Sequence, residues 1–296
     1  EILNFKISNF QFTILLVVGR TSPYPPQADY LVFEHCEKEG YWMKKTACHA
    51  QGGFTLTSLL LFVFIVSWSS LSFGEVTIKW FGHSCFLIES SQGTKILADP
   101  LGEETGYPLP EVMPDIITIS HEHFDHNYVR PFRGKPKIIR GLTTDGRDWE
   151  KIEETVKDVT ISNVFTYHDN KEGKKDGPNS IFVFQLEGLR IVHMGDLGHL
   201  LTEEHIKALG EIDVLLIPIG GVTTINPLEA NEVIEQLKPR IAIPMHYKTP
   251  PCTFTLYTTK NFIKDKTNIR KMGSNTLSLS KGSLPNSSEI VILDYE

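Results

Sequence analysis

The sequence predicts a layered α/β domain over residues 75–296. Three observations carry this expectation. Short β-rich runs separated by glycine or polar turns open the segment. Two continuous apolar runs, "DIITI" and "DVLLIPI", suit strands buried on both faces. Two stretches with helical pattern and recognisable ends stand among the later strands. Strands, then helices, then strands around apolar sheets indicate one layered core, and the segment is long enough to bury a large one.

The elements follow in order. "VTIKWFG", "SCFLIES" and "TKILADP" read as a meander of strands. "DIITIS", "KIIRG" and "VTISNVFTYH" continue the strand pattern. "SIFVFQLEG" and "LRIVHMGD" flank Glu187-Gly188, a hairpin turn. "TEEHIKALG" reads as a helix with Thr202 as N-cap, an acidic first turn and a stop at Gly210. "DVLLIPIGG" is a buried strand, "PLEANEVIEQLKP" a helix ended by Pro239, and "RIAIPMH" a strand. "TLSLSKGSL" and "EIVILDY" close the chain as strands. No internal repeat stands out in the sequence.

The amino-terminal part reads differently. Lys44 and Lys45 head an uncharged apolar run from Phe54 to Trp68, followed by Ser72-Phe73-Gly74. Basic, apolar and small-residue regions in that order are the build of a secretory signal peptide over residues 43–74, with cleavage after Gly74 and export to a periplasmic or extracellular space. The alternative is a retained membrane anchor over 54–73, borderline in length for spanning a bilayer. Residues 1–42 show no sustained period and read either as preceding a start at Met43 or as a disordered extension.

Composition narrows the partners. The net charge is -7, and residues 1–74 hold five basic and five acidic side chains, so the whole excess lies in 75–296. A mildly acidic domain without a basic stripe is a poor partner for phosphate backbones, which argues against nucleic acid. The four cysteines, Cys36, Cys48, Cys85 and Cys252, form no CxxC pair, so a cysteine-built zinc site is not expected. Cys85 and Cys252 are either two buried thiols or one disulfide, with thiols favoured.

The chemistry concentrates in "ISHEHFDHNYV", Ile119 to Val129, where His121, His123, Asp125 and His126 crowd the end of an apolar strand. Imidazole nitrogens and carboxylate oxygens suit a borderline cation such as zinc. Further candidates also sit at strand ends: His168 in "FTYHD", Asp196 in "HMGDLGH" and His246 in "IPMHYK". Seven ligands divide into two sets. His121, His123 and His168 hold one ion, Asp125, His126 and His246 hold the other, and Asp196 bridges them.

HxHxDH, a lone histidine, "GD" and a last histidine, in that order, resemble the metallo-β-lactamase superfamily. "WFGHSCFLIE", "ILADP", "YHD", "GDLGH", "DVLLIPIGG" and "PRIAIPMHYK" are similar to the branch containing ascorbate-phosphate lactonase and many metal-dependent hydrolases. The resemblance implies a four-layered αβ/βα sandwich with a two-metal site at one edge. It implies two zinc ions, with manganese or iron as alternatives, and a water-activating hydrolase of a small-molecule ester, lactone, amide or phosphodiester. Asp125 and Asp196 then carry catalytic roles. A di-iron redox or dioxygenase-type protein on the same fold is the second reading. The chain departs from that branch at "DGPNS", where the loop before Asn179 is expected to shape a different pocket.

Several other residues have two readings. His193 lies three residues before Asp196 and is read as a hydrogen-bonded histidine beneath the site, with ligation in place of His168 as the alternative. His199 lines the pocket or caps the following helix. His83 lies at the site edge or is a turn histidine. Asp99 is expected to orient a ligand loop. Lys248 either meets an anionic substrate group or is simply exposed. No GxSxG surrounds Ser84, so serine catalysis is not expected.

Overall fold

The structure, a computed structural model, describes residues 74–295 together with the backbone of four amino-terminal strands. The chain divides into two units, Glu1–Leu71 and Ser72–Glu296. In the first, β1 (Ile2–Ile7), β2 (Phe10–Leu16), β3 (Tyr30–Cys36) and β4 (Thr46–His49) form one sheet in that order. The apolar segment 54–73 lies outside the described residues. Among those described, no helix is long and apolar enough to cross a membrane.

The second unit holds two sheets. The first contains β5 (Val76–Trp80), β6 (Phe86–Glu89), β7 (Lys95–Ala98), β8 (Ile116–Ile119) and β9 (Lys137–Arg140). The second begins with β10 (Glu153–Val156), β11 (Val159–Tyr167), β12 (Pro178–Leu186) and β13 (Leu189–His193). It continues with β14 (Val214–Pro218), β15 (Ile241–Met245) and β16 (Ile269–Lys271). β17 (Thr276–Leu279) returns to the first sheet and pairs antiparallel with β5, while β18 (Glu289–Ile292) lies parallel to β15 in the second. The orders are β17-β5-β6-β7-β8-β9 and β10-β11-β12-β13-β14-β15-β18-β16.

Period-two alternation explains how the sheets pack. Val76, Ile78 and Trp80 of β5 and Phe86 and Ile88 of β6 join Ile161, Ile181, Phe182 and Phe184 of the second sheet in one buried cluster. Side chains of the opposite parity, such as Leu87, Leu97 and Ile117, join a smaller cluster on the other face of the first sheet. Helices α1 (Glu203–Leu209), α2 (Pro227–Leu237) and α3 (Thr259–Phe262) bury Leu209, Ala230, Val233, Leu237 and Phe262 in the larger cluster. The α/β sandwich is therefore present. Among the described residues, the outer face of the first sheet is covered by non-helical chain carrying Tyr107, Leu109, Val112, Val129 and Phe132.

Local chemistry follows the sequence closely. Thr202 caps α1 by accepting from the His205 N–H, and α1 ends at Gly210. Asn226 caps α2 in a capping box with Glu229. Glu187 and Gly188 both take positive φ, as a two-residue hairpin loop requires. β10, β16 and α3 were not expected. β10 alternates exposed and half-buried residues with a glutamate on each face, Glu153 and Glu154, so it lacks the apolar signal that marks a strand.

Strand direction places the site. β5 and β7 each run antiparallel to β6, so they share a direction, and β8 runs parallel to β7. β11 and β13 each run antiparallel to β12, and β14 and β15 run parallel to β13. The carboxyl ends of β5, β7 and β8 therefore share one edge of their sheet, and those of β11, β13 and β15 one edge of theirs. The residues just past these ends are the polar ones: His83, Asp99, His121–His126, His168, Asp196 and His246.

Candidate metal centre

All seven residues expected as ligands come together. Ligand atoms of His121, His123 and His168 lie within 4.8 Å of one another, and so do those of Asp125, His126, His246 and, in addition, His83. Asp196 stands between the two groups. Its Oδ2 is 3.1 Å from His168 Nε2, 3.2 Å from His246 Nε2, 3.3 Å from His126 Nε2 and 4.0 Å from His121 Nε2. One carboxylate oxygen thus touches members of both groups.

The surroundings hold these side chains in place. Asp99, wholly buried just after β7, accepts from the Ser120 N–H at 2.8 Å, from the Ser120 hydroxyl and from His126 Nδ1 at 2.9 Å. That fixes the His126 ring with Nε2 facing Asp196, the orienting role expected of Asp99. His168 Nδ1 donates to the Thr223 carbonyl at 2.9 Å and leaves Nε2 inward. The side-chain Oδ1 of Asn179, the residue after Gly177-Pro178, accepts from the Asp196 N–H at 3.0 Å, while its Nδ2 donates to Thr166 Oγ1 and the Met194 carbonyl. Asp169 accepts four backbone N–H groups, those of Lys171, Gly173, Lys175 and Asp176, and so folds the loop after His168 onto itself. Two glycines permit close approach. A Cβ on Gly198 would collide with the His168 backbone, and one on Gly220 with the His246 carbonyl.

The electrostatics are those of a cluster of bases around buried carboxylates. Burial disfavours the Asp196 anion, but His126, His246 and His168 outweigh it and hold the carboxyl well below its ordinary range. Burial likewise opposes charge on His126, yet Asp196 and Asp125 raise its pKa well above 6.5. His168 is raised in the same way by Asp196 against burial. His121 is pushed well below 6.5 by burial and then by His126, and His123 is lowered by burial and His168. His83, buried and beside His246, falls to about 4.

The donor set fits a metal ion. His121 Nε2, His126 Nε2 and Asp196 Oδ1 are buried and have no hydrogen-bond partner among the described residues, an arrangement that costs free energy unless something occupies it. Imidazole and carboxylate are the donors a borderline divalent ion takes.

The residues with two readings separate clearly. His193 is wholly buried, bonds the Ser84 carbonyl at 2.8 Å through Nε2 and accepts the Gly195 N–H through Nδ1, so it supports the turn beneath the cluster. His199 accepts from the Tyr167 N–H and donates to the Leu200 carbonyl, neither lining the cluster nor capping α1. Lys248 donates to the carbonyls of Cys252 and Phe254, which ties it to its own loop. Cys85 and Cys252 are buried free thiols. His83 is the residue that sequence reasoning undervalued: it is wholly buried, with Nε2 3.0 Å from Asp125 Oδ2.

Residues 77–246 match the family model described as the β-lactamase superfamily domain. The chain belongs to the metallo-β-lactamase superfamily. It is 34% identical to a UPF0173 metal-dependent hydrolase of Thermococcus onnurineus over 218 residues, which span 66% of this chain and 95% of that one. A Pyrococcus abyssi protein of the same name is 34% identical over 220 residues, covering 66% and 95%. A solved structure from Thermotoga maritima, named as a candidate Zn-dependent hydrolase of the superfamily, is 36% identical, with a TM-score of 0.59 over 75% of this chain and 100% of that one. As a superfamily member the chain is an enzyme of the metal-dependent hydrolase class.

Proposed function

We propose that the protein hydrolyses a small-molecule ester, lactone, amide or phosphodiester with two bound divalent ions, zinc first and manganese or iron as alternatives. The observation that carries this reading is the position of Asp196 Oδ2, within 3.1 to 3.3 Å of His168, His246 and His126. A carboxylate facing both groups is suited to being shared. His121, His123 and His168 would hold one ion and Asp125, His126 and His246 the other. When bound, such a pair supplies a water of lowered pKa and polarises the substrate's oxygen.

The chain's own residues do the rest. Asp99 holds the His126 ring and Asn179 holds the Asp196 turn, so the donors are arranged before any ligand arrives. Asp125 is partly open to solvent, at 14% exposure, and can orient an entering water as well as donate to an ion. Native mass spectrometry of the metal-replete chain should show two equivalents, and a screen of lactone, ester, amide and phosphodiester substrates should show turnover. One equivalent at saturation would sink the two-ion reading. Bound iron with no hydrolysis of any class would favour the redox reading instead.

Export is part of the same proposal and rests on the sequence of residues 43–74. Amino-terminal sequencing of the exported protein should begin at Glu75; retention of the apolar segment in a membrane fraction would favour an anchor.

A further inference from the structure

We propose that His83 is a positioning residue that aims the Asp125 carboxylate at the second ion; this rests on the two-ion reading above. Four features of its surroundings converge on that role. Its ring is wholly buried, and its Nε2 lies 3.0 Å from Asp125 Oδ2. The ring packs against His246, with centroids 4.0 Å apart. Its carbonyl accepts from the Trp80 indole N–H and from the His246 N–H, each at 3.0 Å. Its backbone takes φ +49, a sparsely populated conformation that persists where the surroundings fix it. One residue thus joins the end of β5, the HxHxDH loop and the end of β15.

Counting donors decides between positioning and ligation. Asp125, His126, His246 and the shared Asp196 already supply four donors to the second ion. Water or substrate would then be the fifth donor, the most such an ion takes during reaction, so a further ligand from His83 would compete for that place. His83 Nδ1 is buried with no hydrogen-bond partner among the described residues, so the single proton of the neutral ring belongs on Nε2, where it donates to Asp125. The carboxylate is then held through Oδ2, which lies 3.7 Å from His126 Nε2.

Two amide substitutions test this, because each places its nitrogen where one ring nitrogen stood. His83→Gln can still donate at the Nε2 position, whereas His83→Asn reaches only the Nδ1 position. The full chain of each variant is titrated with cobalt(II) and followed by visible absorption, with circular dichroism to check folding. His83→Asn should weaken the second equivalent by about 10–100-fold, the scale of losing a group that orients a ligand, and leave the first unchanged. His83→Gln should recover most of the affinity and the two-ion spectrum. If His83→Asn does not fold, His83→Ala replaces it with the same expectation. Wild-type affinity in the Asn or Ala variant would overturn the proposal. So would a Gln variant that binds the second ion no better and has an altered spectrum, since that marks His83 as a ligand. A wild-type protein that takes up one equivalent fails the two-ion reading itself, and the inference falls with it.

Discussion

The two halves of the histidine cluster are built differently. In the half made by His121, His123 and His168, the outer nitrogens meet neutral groups: the Ser120 hydroxyl faces His121 and the Thr223 carbonyl faces His168. His123 is exposed. In the half made by Asp125, His126 and His246, a buried carboxylate backs His126, and a buried histidine backs Asp125. The contrast shows in protonation. His121 is pushed well below 6.5 by burial and neighbouring imidazoles, while His126 is raised well above it by Asp196 and Asp125 against burial. The charge-backed half would have to release a proton from His126 before that ring could donate to an ion.

The largest expected effect removes what the halves share. Asp196→Asn replaces the common carboxylate with a neutral amide of nearly the same shape. Turnover on any hydrolysed substrate should fall by at least ~100-fold, the scale of losing a dominant electrostatic group, while the fold persists. Steady-state assay with circular dichroism checks this, and near-normal turnover in a folded variant would mean that Asp196 is not shared.

Asp99→Asn should separate the halves. It exchanges the acceptor of His126 Nδ1 for a group that also donates, a direct change for His126, whereas His121 meets Asp99 only through the Ser120 hydroxyl. Affinity for one of the two ions should drop by about 10–100-fold with the other nearly unchanged. Equal weakening of both equivalents in a metal titration would show that the halves are not independent.

His168→Ala and His193→Ala sharpen the assignment within the first half. The former should lose one metal equivalent. The latter should keep both and lower thermal stability, because it strands the Ser84 carbonyl and costs about 1–3 kcal/mol. The reverse pattern would exchange their roles.

The smallest effect is a pH dependence of the metal-free protein. His126 has a raised folded pKa, so its ion pair contributes stability fully below 6.5, and that contribution is lost as pH rises through the raised value. His121 has a lowered folded pKa, so its burial costs stability as pH falls below 6.5. The thermal midpoint should therefore decline on both sides, and affinity for the second ion should rise with pH above 6.5 as His126 gives up its proton. Imidazole NMR that finds His126 neutral at pH 7 would remove the contrast between the halves.

Much of this site was legible because its candidate ligands are strand-end residues. A histidine, or an aspartate within a short turn, directly after an apolar run is delivered to a sheet edge whatever the sheet order, so His121, His168, Asp196 and His246 could be chosen from local pattern alone. The caps of α1 and α2 and the Glu187-Gly188 turn were legible for the same reason: their chemistry is satisfied within a few residues. β10 was not, since its pairing with β11 rather than an apolar face of its own makes it a strand.

The sequence by itself determined the donor types, their spacing and the strands that carry them. Tertiary structure decided what each donor faces. His83 and Asp125 are separated by 42 positions, and Asp99 and His126 by 27, so no local pattern records that they touch. Asn179 lies in a segment chosen only as a departure from the family's pattern, yet it holds the Asp196 turn from across the β12–β13 pair. The common edge arises because β5 and β7 flank β6, and β11 and β13 flank β12, each pair sharing one direction. Hydrogen-bond pairing between strands distant in sequence fixes those directions, and with them which histidines meet.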